Sequence, residues 1–230
     1  MIYISKLFSP ISTGTSAGDI NVGATVKINE NGQAVEHIVV HQGLPSDIYD
    51  SSCEGTWCLR KDIAEKRVWD SGNSNVLETS DIQAYLNGDW MNRYDPDIAE
   101  AIKQVKIPYR QNGGYGGTDR TGANGLQCKI FLLSGREMGW DSADNQYFPD
   151  DGAKLDYFID GTTSSANNKR IANLNGSATY WWLRSPYTYN EVAVWICNSN
   201  GVYDYLYTYY SYGVRPALVL PFSFKFKEVS

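Results

Sequence analysis

The stretch 180–220 reads YWWLRSPYTYNEVAVWICNSNGVYDYLYTYYSYGVRPALVL. Tyr180–Leu183 is apolar and aromatic, Val192–Cys197 is a strand pattern around Trp195, and Gly213–Leu220 closes as an apolar strand interrupted by Pro216. Asn200-Gly201 is a hairpin signal. Val202–Tyr212 holds six tyrosines in eleven residues, and nine of the chain's 17 lie between Tyr180 and Tyr212. Tyr203, Tyr205, Tyr207 and Tyr209 alternate, so on a strand they project from one face. Tyr187, Thr188, Tyr189 and Asn190 follow Pro186 as an exposed loop, and Asn198, Ser199 and Asn200 lie beside the turn. A cross-strand aromatic ladder that stabilises a sheet is one reading. A contact surface is the other, because Tyr gives large amphipathic area at low rotamer cost while Ser and Asn give adaptable hydrogen bonds. The residues suited to a buried face stand in the flanks: Trp181, Trp182 and Leu183 before, Val214, Ala217, Leu218, Val219 and Leu220 after. An apolar frame around a Tyr/Asn-rich insert is the arrangement of a binding site on a scaffold.

Working outward, Val22–Asn29 and Ala34–His41 read as strands joined through Glu30-Asn31-Gly32-Gln33, and Trp57–Arg60 as a shorter one. Ser80 with Gln83 three residues on has capping-box spacing and starts a helix with Ile82, Tyr85, Leu86 and Trp90 on one face, weakened by Gly88. Asp95 as N-cap and Pro96 at the first helical position open a second helix, with Ile98, Ala101, Ile102 and Val105 at amphipathic spacing. Gln111–Gly125 carries six glycines without a phosphate-loop pattern and reads as an irregular surface loop. Cys128–Leu133 is a compact apolar strand, and Asp141–Asn175 is mostly polar and irregular, broken by Leu155–Ile159. With no tandem repeat and no linker-like break in composition, the expectation is one α+β domain over 1–230, with the Tyr/Asn-rich segment 180–221 inside it.

Composition bounds the function. The chain has 230 residues, 42% hydrophobic and 20% charged, which suits a folded domain with a sizeable core. A net charge of −6 argues against generic nucleic-acid or anionic-membrane binding. No window approaches a membrane span, and the start MIYISKLFSPIS lacks the basic and apolar regions of a signal peptide. Cys53, Cys58, Cys128 and Cys197 read as buried thiols, with a Cys53–Cys58 bridge as the alternative. His37 and His41 read as surface or hairpin histidines rather than metal ligands. Asp95/Asp97 and Asp150/Asp151 are acidic pairs, but a helix cap and a turn explain them more simply than a glycosidase pair. Arg184 and Arg215, in apolar strands, read as partners of buried carbonyls or acids of the fold. No nucleophile elbow, zinc-protease or EF-hand pattern is present, so the expectation is a non-enzymatic protein with no catalytic residue, metal or cofactor.

The motifs Tyr180-Trp-Trp-Leu-Arg-Ser-Pro186, Trp195, Asn200-Gly201 and Tyr212-Gly-Val-Arg-Pro-Ala-Leu218 resemble those of a family of uncharacterised domains in gut Firmicutes and their phages. So do His41-Gln-Gly-Leu-Pro45, Ile107-Pro108-Tyr109 and Ile130-Phe-Leu-Leu-Ser134. Some members look like variable proteins of diversity-generating retroelements, in which adenine-directed change rewrites a C-terminal coding segment. Asn codons begin with two adenines, and their change yields the Tyr, Ser, Asp, Thr, Ile, Val and Leu that crowd between Tyr187 and Tyr210. The resemblance implies a C-type lectin-like fold that displays diversified residues to a ligand at a phage tail (virion) or on a bacterial cell surface. It implies as variable or ligand-binding Tyr187, Tyr189, Asn190, Ile196, Asn198, Asn200, Val202, Tyr203, Tyr205, Leu206, Tyr207, Tyr209 and Tyr210. The implied partner is a protein or glycan on a target cell, without nucleic acid or membrane insertion and with a homo-oligomer compatible. A tail-assembly subunit and a cell-wall glycan enzyme are the alternatives. The chain lacks the Glu-Pro-Asn, Gln-Pro-Asp and Trp-Asn-Asp triplets of calcium-dependent lectins, so no calcium-bridged sugar site is expected.

Overall fold

Unbroken apolar runs such as Ala193–Cys197 and Ala217–Leu220 set the architecture, because a strand with apolar residues on both sides must be covered on both. The computed structural model describes residues 14–226, and the N-terminal reading made above lies outside them. The strands in chain order are β1 (Thr25–Glu30), β2 (Gln33–Gly43), β3 (Gly55–Arg60), β4 (Glu65–Val68), β5 (Val105–Ile107), β6 (Tyr109–Gln111), β7 (Thr118–Arg120) and β8 (Leu126–Cys128). They continue as β9 (Ile130–Phe131), β10 (Asn173–Leu174), β11 (Ser177–Ala178), β12 (Trp181–Pro186), β13 (Ala193–Cys197), β14 (Tyr203–Tyr207), β15 (Ser211–Val214) and β16 (Ala217–Leu220). One five-stranded sheet runs β1-β2-β3-β16-β9 and a second runs β14-β13-β12-β15-β4, with three two-stranded pairs beside them. Among the described residues, the named strands pair antiparallel except β12 with β15, which meet in parallel at Trp181 and Gly213.

The two large sheets share two cores. On β13, Ala193, Trp195 and Cys197 enter the first core and Val194 and Ile196 the second. On β16, Ala217 and Val219 enter the first while Leu218 and Leu220 enter the second. The first core is closed by the chain between 132 and 172, through Met138, Trp140, Phe148, Leu155 and Phe158. The second is closed by Leu77, Ile82, Leu86, Trp90, Ile98 and Ile102, from the helical segments 77–102. Several large aromatics, among them Trp57, Trp181, Trp182 and Trp195, are sealed in these cores. Each such side chain contributes roughly 1.5–3 kcal/mol or more of burial free energy.

The expected α+β, C-type lectin-like fold is not what forms. Strand occupies 35% of the described residues and helix 16%, arranged as several antiparallel sheets with few helices. The physical reason is that long irregular loops, rather than helices, cover the first core. Locally, the readings divide. Asn31 and Gly32 take positive φ (51° and 72°) and turn β1 into β2, as Asn-Gly demands. Ser80 caps α1 (Asp81–Asn87) by accepting from the Gln83 amide, and Gly88 ends it. Helix α2 (Pro96–Ala101) starts after Asp95, but Ile102 is already extended, and Val105 pairs with Cys128 instead of completing the helical stripe. The strand foreseen over Cys128–Leu133 divides at Lys129, whose amide donates to Asn87 Oδ1. A third helix, α3 (Ser164–Arg170), is capped by Thr163.

Candidate functional site: a tyrosine edge over a buried tryptophan

Strand β14 is the edge of its sheet, and its register places Trp195 opposite Tyr205, Ala193 opposite Tyr207 and Cys197 opposite Tyr203. The Thr208 amide donates to the Val192 carbonyl, and the Asn198 amide to the Val202 carbonyl. By the antiparallel alternation, the amides and carbonyls of Tyr203, Tyr205 and Tyr207 point away from β13, towards the free edge. Asp204 Oδ1 accepts from the Tyr205 amide at that edge.

Trp195 is the floor of the site. Phe148 stacks on it at 4.0 Å, and Tyr187, Tyr203 and Tyr205 meet it edge-on. Tyr187 and Tyr205 stack with centroids 4.1 Å apart and planes 6° apart. Tyr207 and Tyr209 run parallel at 5.6 Å, and Tyr210 leans on Tyr209 at 4.5 Å. The result is a row of rings whose backs are fixed and whose fronts are open. Tyr189 is 63% exposed, Tyr209 45%, and Tyr205, Tyr207 and Tyr210 44% each. Burial raises the phenol pKa of Tyr187, Tyr203 and Tyr212, and a hydrogen bond with Tyr210 raises that of Tyr209. These four phenols therefore stay neutral at neutral pH.

The thirteen residues assigned by resemblance do not all share this surface. Tyr189, Asn200, Tyr205, Tyr207, Tyr209 and Tyr210 are exposed. Tyr203 is half-buried and its hydroxyl donates to the Asp144 carbonyl. Tyr187 is buried under Tyr205, and Ile196 lies wholly in the second core, because alternation on β13 turns it away from Trp195. Leu206 faces that same core. Asn190 Oδ1 accepts from the Val192 and Ala193 amides, and Asn198 Oδ1 from those of Asn200 and Val202, so both side chains shape turns. Val202 is half-buried beside them.

Other residues of the site carry no local sequence signal. Tyr147, from the loop over the first core, packs on Tyr187 and Tyr189, and its carbonyl accepts from Trp195 Nε1 and Thr188 Oγ1. Asn75 donates to the Asn190 and Ala193 carbonyls and accepts from the Gly114 amide. The glycine-rich segment is therefore partly interior: Gly113 and Gly114 are buried, and a Cβ on Gly114 would press on the Asn190 and Tyr187 carbonyls. Gly201 has φ 74° and packs on the Asn167 backbone of α3, so the hairpin tip is clamped.

Beneath the surface, β12 carries the WWLRSP motif, and every residue of it is buried. Arg184 makes a paired contact with Glu137 (2.5 and 2.7 Å), with both groups at 1% exposure or less. It also donates to the Pro108, Leu132 and Asp151 carbonyls. Glu137 further accepts from Tyr49 Oη and the Ser134 amide. Ser185 Oγ donates to Asp151 Oδ2 and accepts from the Gly135 amide. Burial, with Glu137 nearby, pushes the Asp151 carboxyl up to about 7 against the pull of Arg184 and Ser185. The network pins the loop that carries Tyr147 to the sheet that carries Trp195. The reading of Arg184 as a partner of buried acids and carbonyls matches this geometry.

Residues 54–222 match the family described as a domain of unknown function, DUF6273. The chain belongs to that family. No curated protein and no solved structure matches it. The DUF6273 match opens at Glu54, just before β3, and closes after β16, so it contains the tyrosine edge and the Arg184 network apart from Tyr49, and omits the β1–β2 hairpin.

That hairpin holds the two histidines. They are buried rather than at the surface: His37 lies 3.4 Å from Glu30, and His41 Nδ1 2.9 Å from Asp156. The four cysteines are free and buried, and burial pushes Cys53 to about 11 and Cys58 and Cys197 to about 12. Asp150 is exposed and paired with Arg136, while Asp151 is enclosed in the network. Among the described residues, no three His, Cys, Asp or Glu side chains converge as a metal set, and no helix is long and apolar enough to cross a membrane.

Proposed function

We propose that the protein is a non-enzymatic ligand-binding protein whose contact surface is the tyrosine edge of β14 with the loop after Pro186. One observation carries the reading. Of the nine large hydrophobic residues that are exposed among the described residues, five are tyrosines between 189 and 210, on β14, the turn after it and the loop after Pro186, backed by sealed tryptophan. Scattered exposed apolar residues need no explanation, whereas a concentrated patch marks an interaction site. Rigid aromatic anchors with adaptable amides beside them are the composition of a paratope. We further propose that exposed positions of this edge are diversified, as in variable proteins of retroelement systems at phage tails or cell surfaces. Tyr205, Tyr207, Tyr209 and Tyr210 can change without unpacking the core, whereas Ile196, Leu206 and Tyr187 cannot.

The test is binding of fluorescently labelled protein to a panel of intact bacterial cells, with wild type compared to Tyr205→Ala and Tyr207→Ala. A central anchor contributes on the order of 2 kcal/mol to such contacts, so each variant should lose about 30-fold in affinity while remaining folded. Undiminished binding by both variants would sink the reading. Loss of self-association in scattering, in place of loss of cell binding, would assign the edge to assembly instead. Diversification has its own check in the coding DNA: a nearby near-copy of the segment that differs mainly at adenines, beside a reverse transcriptase gene.

A further inference from the structure

The tyrosine edge has a charge as well as a shape. Between Arg184 and Arg215 the chain carries Glu191 and Asp204 and not one Lys or Arg. Both acids are exposed. The facing loop adds Asp144, whose carbonyl receives the Tyr203 hydroxyl, within a run from Asp141 to Phe148 that has no basic residue. The exposed basic residues of the same sheet, Lys66 and Arg67, sit on β4, its opposite edge. A tyrosine ring presents negative potential at its face, and a cation over it is attracted. Tyr205 uses one face against Tyr187 and leaves the other to solvent. Tyr205 and Tyr207 are two residues apart on one strand, hence about 7 Å apart, the repeat of alternate side chains in an extended peptide.

We propose that the ligand of this edge is a basic polypeptide segment. Its Lys or Arg side chains lie on the outer faces of Tyr205 and Tyr207, while Glu191 and Asp204, the latter turned by alternation to the other side of β14, attract its charge at longer range. The inference rests on the binding function proposed above and specifies the chemistry of the partner: polyanions are disfavoured at this surface, and cations are attracted by the acidic field and held by the rings.

A displayed random dodecapeptide library, panned on the full chain, tests it. The enriched peptides should be more positively charged than the input. Titration calorimetry should show their affinity falling about tenfold with Tyr205→Ala and severalfold with Asp204→Asn/Glu191→Gln, and falling again as salt is raised from 50 to 500 mM. The Asn and Gln replacements keep hydrogen-bond acceptors, and thermal melts confirm that the fold persists. Enriched peptides that are neutral or acidic, yet lost with Tyr205→Ala, overturn the charge assignment and leave the binding surface standing. A library without Tyr205-sensitive peptides, alongside Tyr205-sensitive binding to cells, overturns the polypeptide ligand alone. Insensitivity to Tyr205→Ala in both assays overturns the binding function itself.

Discussion

Strands β12 and β14 lie on either side of β13 and share its register, yet they treat similar residues in opposite ways. Along β12 every side chain is buried, including Arg184 and Ser185; along β14 the tyrosines stand half in water. The difference is one of position in the sheet. A central strand between two cores has no wet face, so its polar groups must find partners inside. An edge strand has partners on one side only, so its outer faces and its spare backbone groups are free. The residues that look most like chemistry, an arginine and a serine amid tryptophans, therefore hold the scaffold, and the tyrosines of the edge strand are left partly in solvent.

The sharpest way to break this contrast is at Arg184. Arg184→Leu leaves the Glu137 carboxylate buried without its partner and should cost about 3–5 kcal/mol in denaturant unfolding. Pairing it with Glu137→Leu should recover much of that loss, because the unpaired charge is gone. A single variant as stable as wild type would show that the interior network does not hold the loop. Next in size is Gly114→Ala, which sets a methyl group against the Asn190 and Tyr187 carbonyls. Overpacking of this kind costs roughly 1–3 kcal/mol, and it should also weaken ligand binding by shifting the loop that carries Tyr189.

Asp151 makes the buried strand's environment sensitive to pH. Its carboxyl is raised from 3.8 to about 7 in the folded protein, so its contribution favours folding below pH 3.8 and is lost as pH rises through about 7. Urea titrations between pH 5 and pH 8 should show wild type losing stability relative to Asp151→Asn, which has no such proton to lose. A constant difference across that range would contradict the burial argument. The smallest effect is expected at the edge: Tyr209→Ala should change stability by about 0.5–1.5 kcal/mol, the scale of one aromatic pair. A larger loss would mean that the tyrosine row supports the fold rather than decorating it.

Local features of the fold were legible because their causes are local. Asn31-Gly32 turns a hairpin, Ser80 caps α1 and Pro96 opens α2, each through atoms within four residues. The exposed tyrosines at 205 and 207 were legible from period two on a strand with apolar flanks, whereas Tyr209 lies in the turn after β14 and Tyr203 of the same series is half-buried. Tyr187 and Ile196 were not legible, since what covers them is Tyr205 on one side and the helical layer on the other. The hairpin position of the two histidines was legible, but their burial was not, because Glu30 and Asp156, which lie against them, are brought there by the fold rather than by spacing. Val105 left its helical stripe because a strand partner at Cys128 and a place in the first core were available.

Where the chain turns, which residues are apolar enough to be enclosed and where phenol side chains are concentrated follow from the amino-acid order, because propensity and periodicity act over a few residues. Tertiary structure alone decided that β14 is an edge, that glycines at 113 and 114 lie beneath a loop, and that Arg184 meets Glu137 across 47 positions. Those outcomes depend on which distant segments exclude water from one another, and that is settled only when the two cores close.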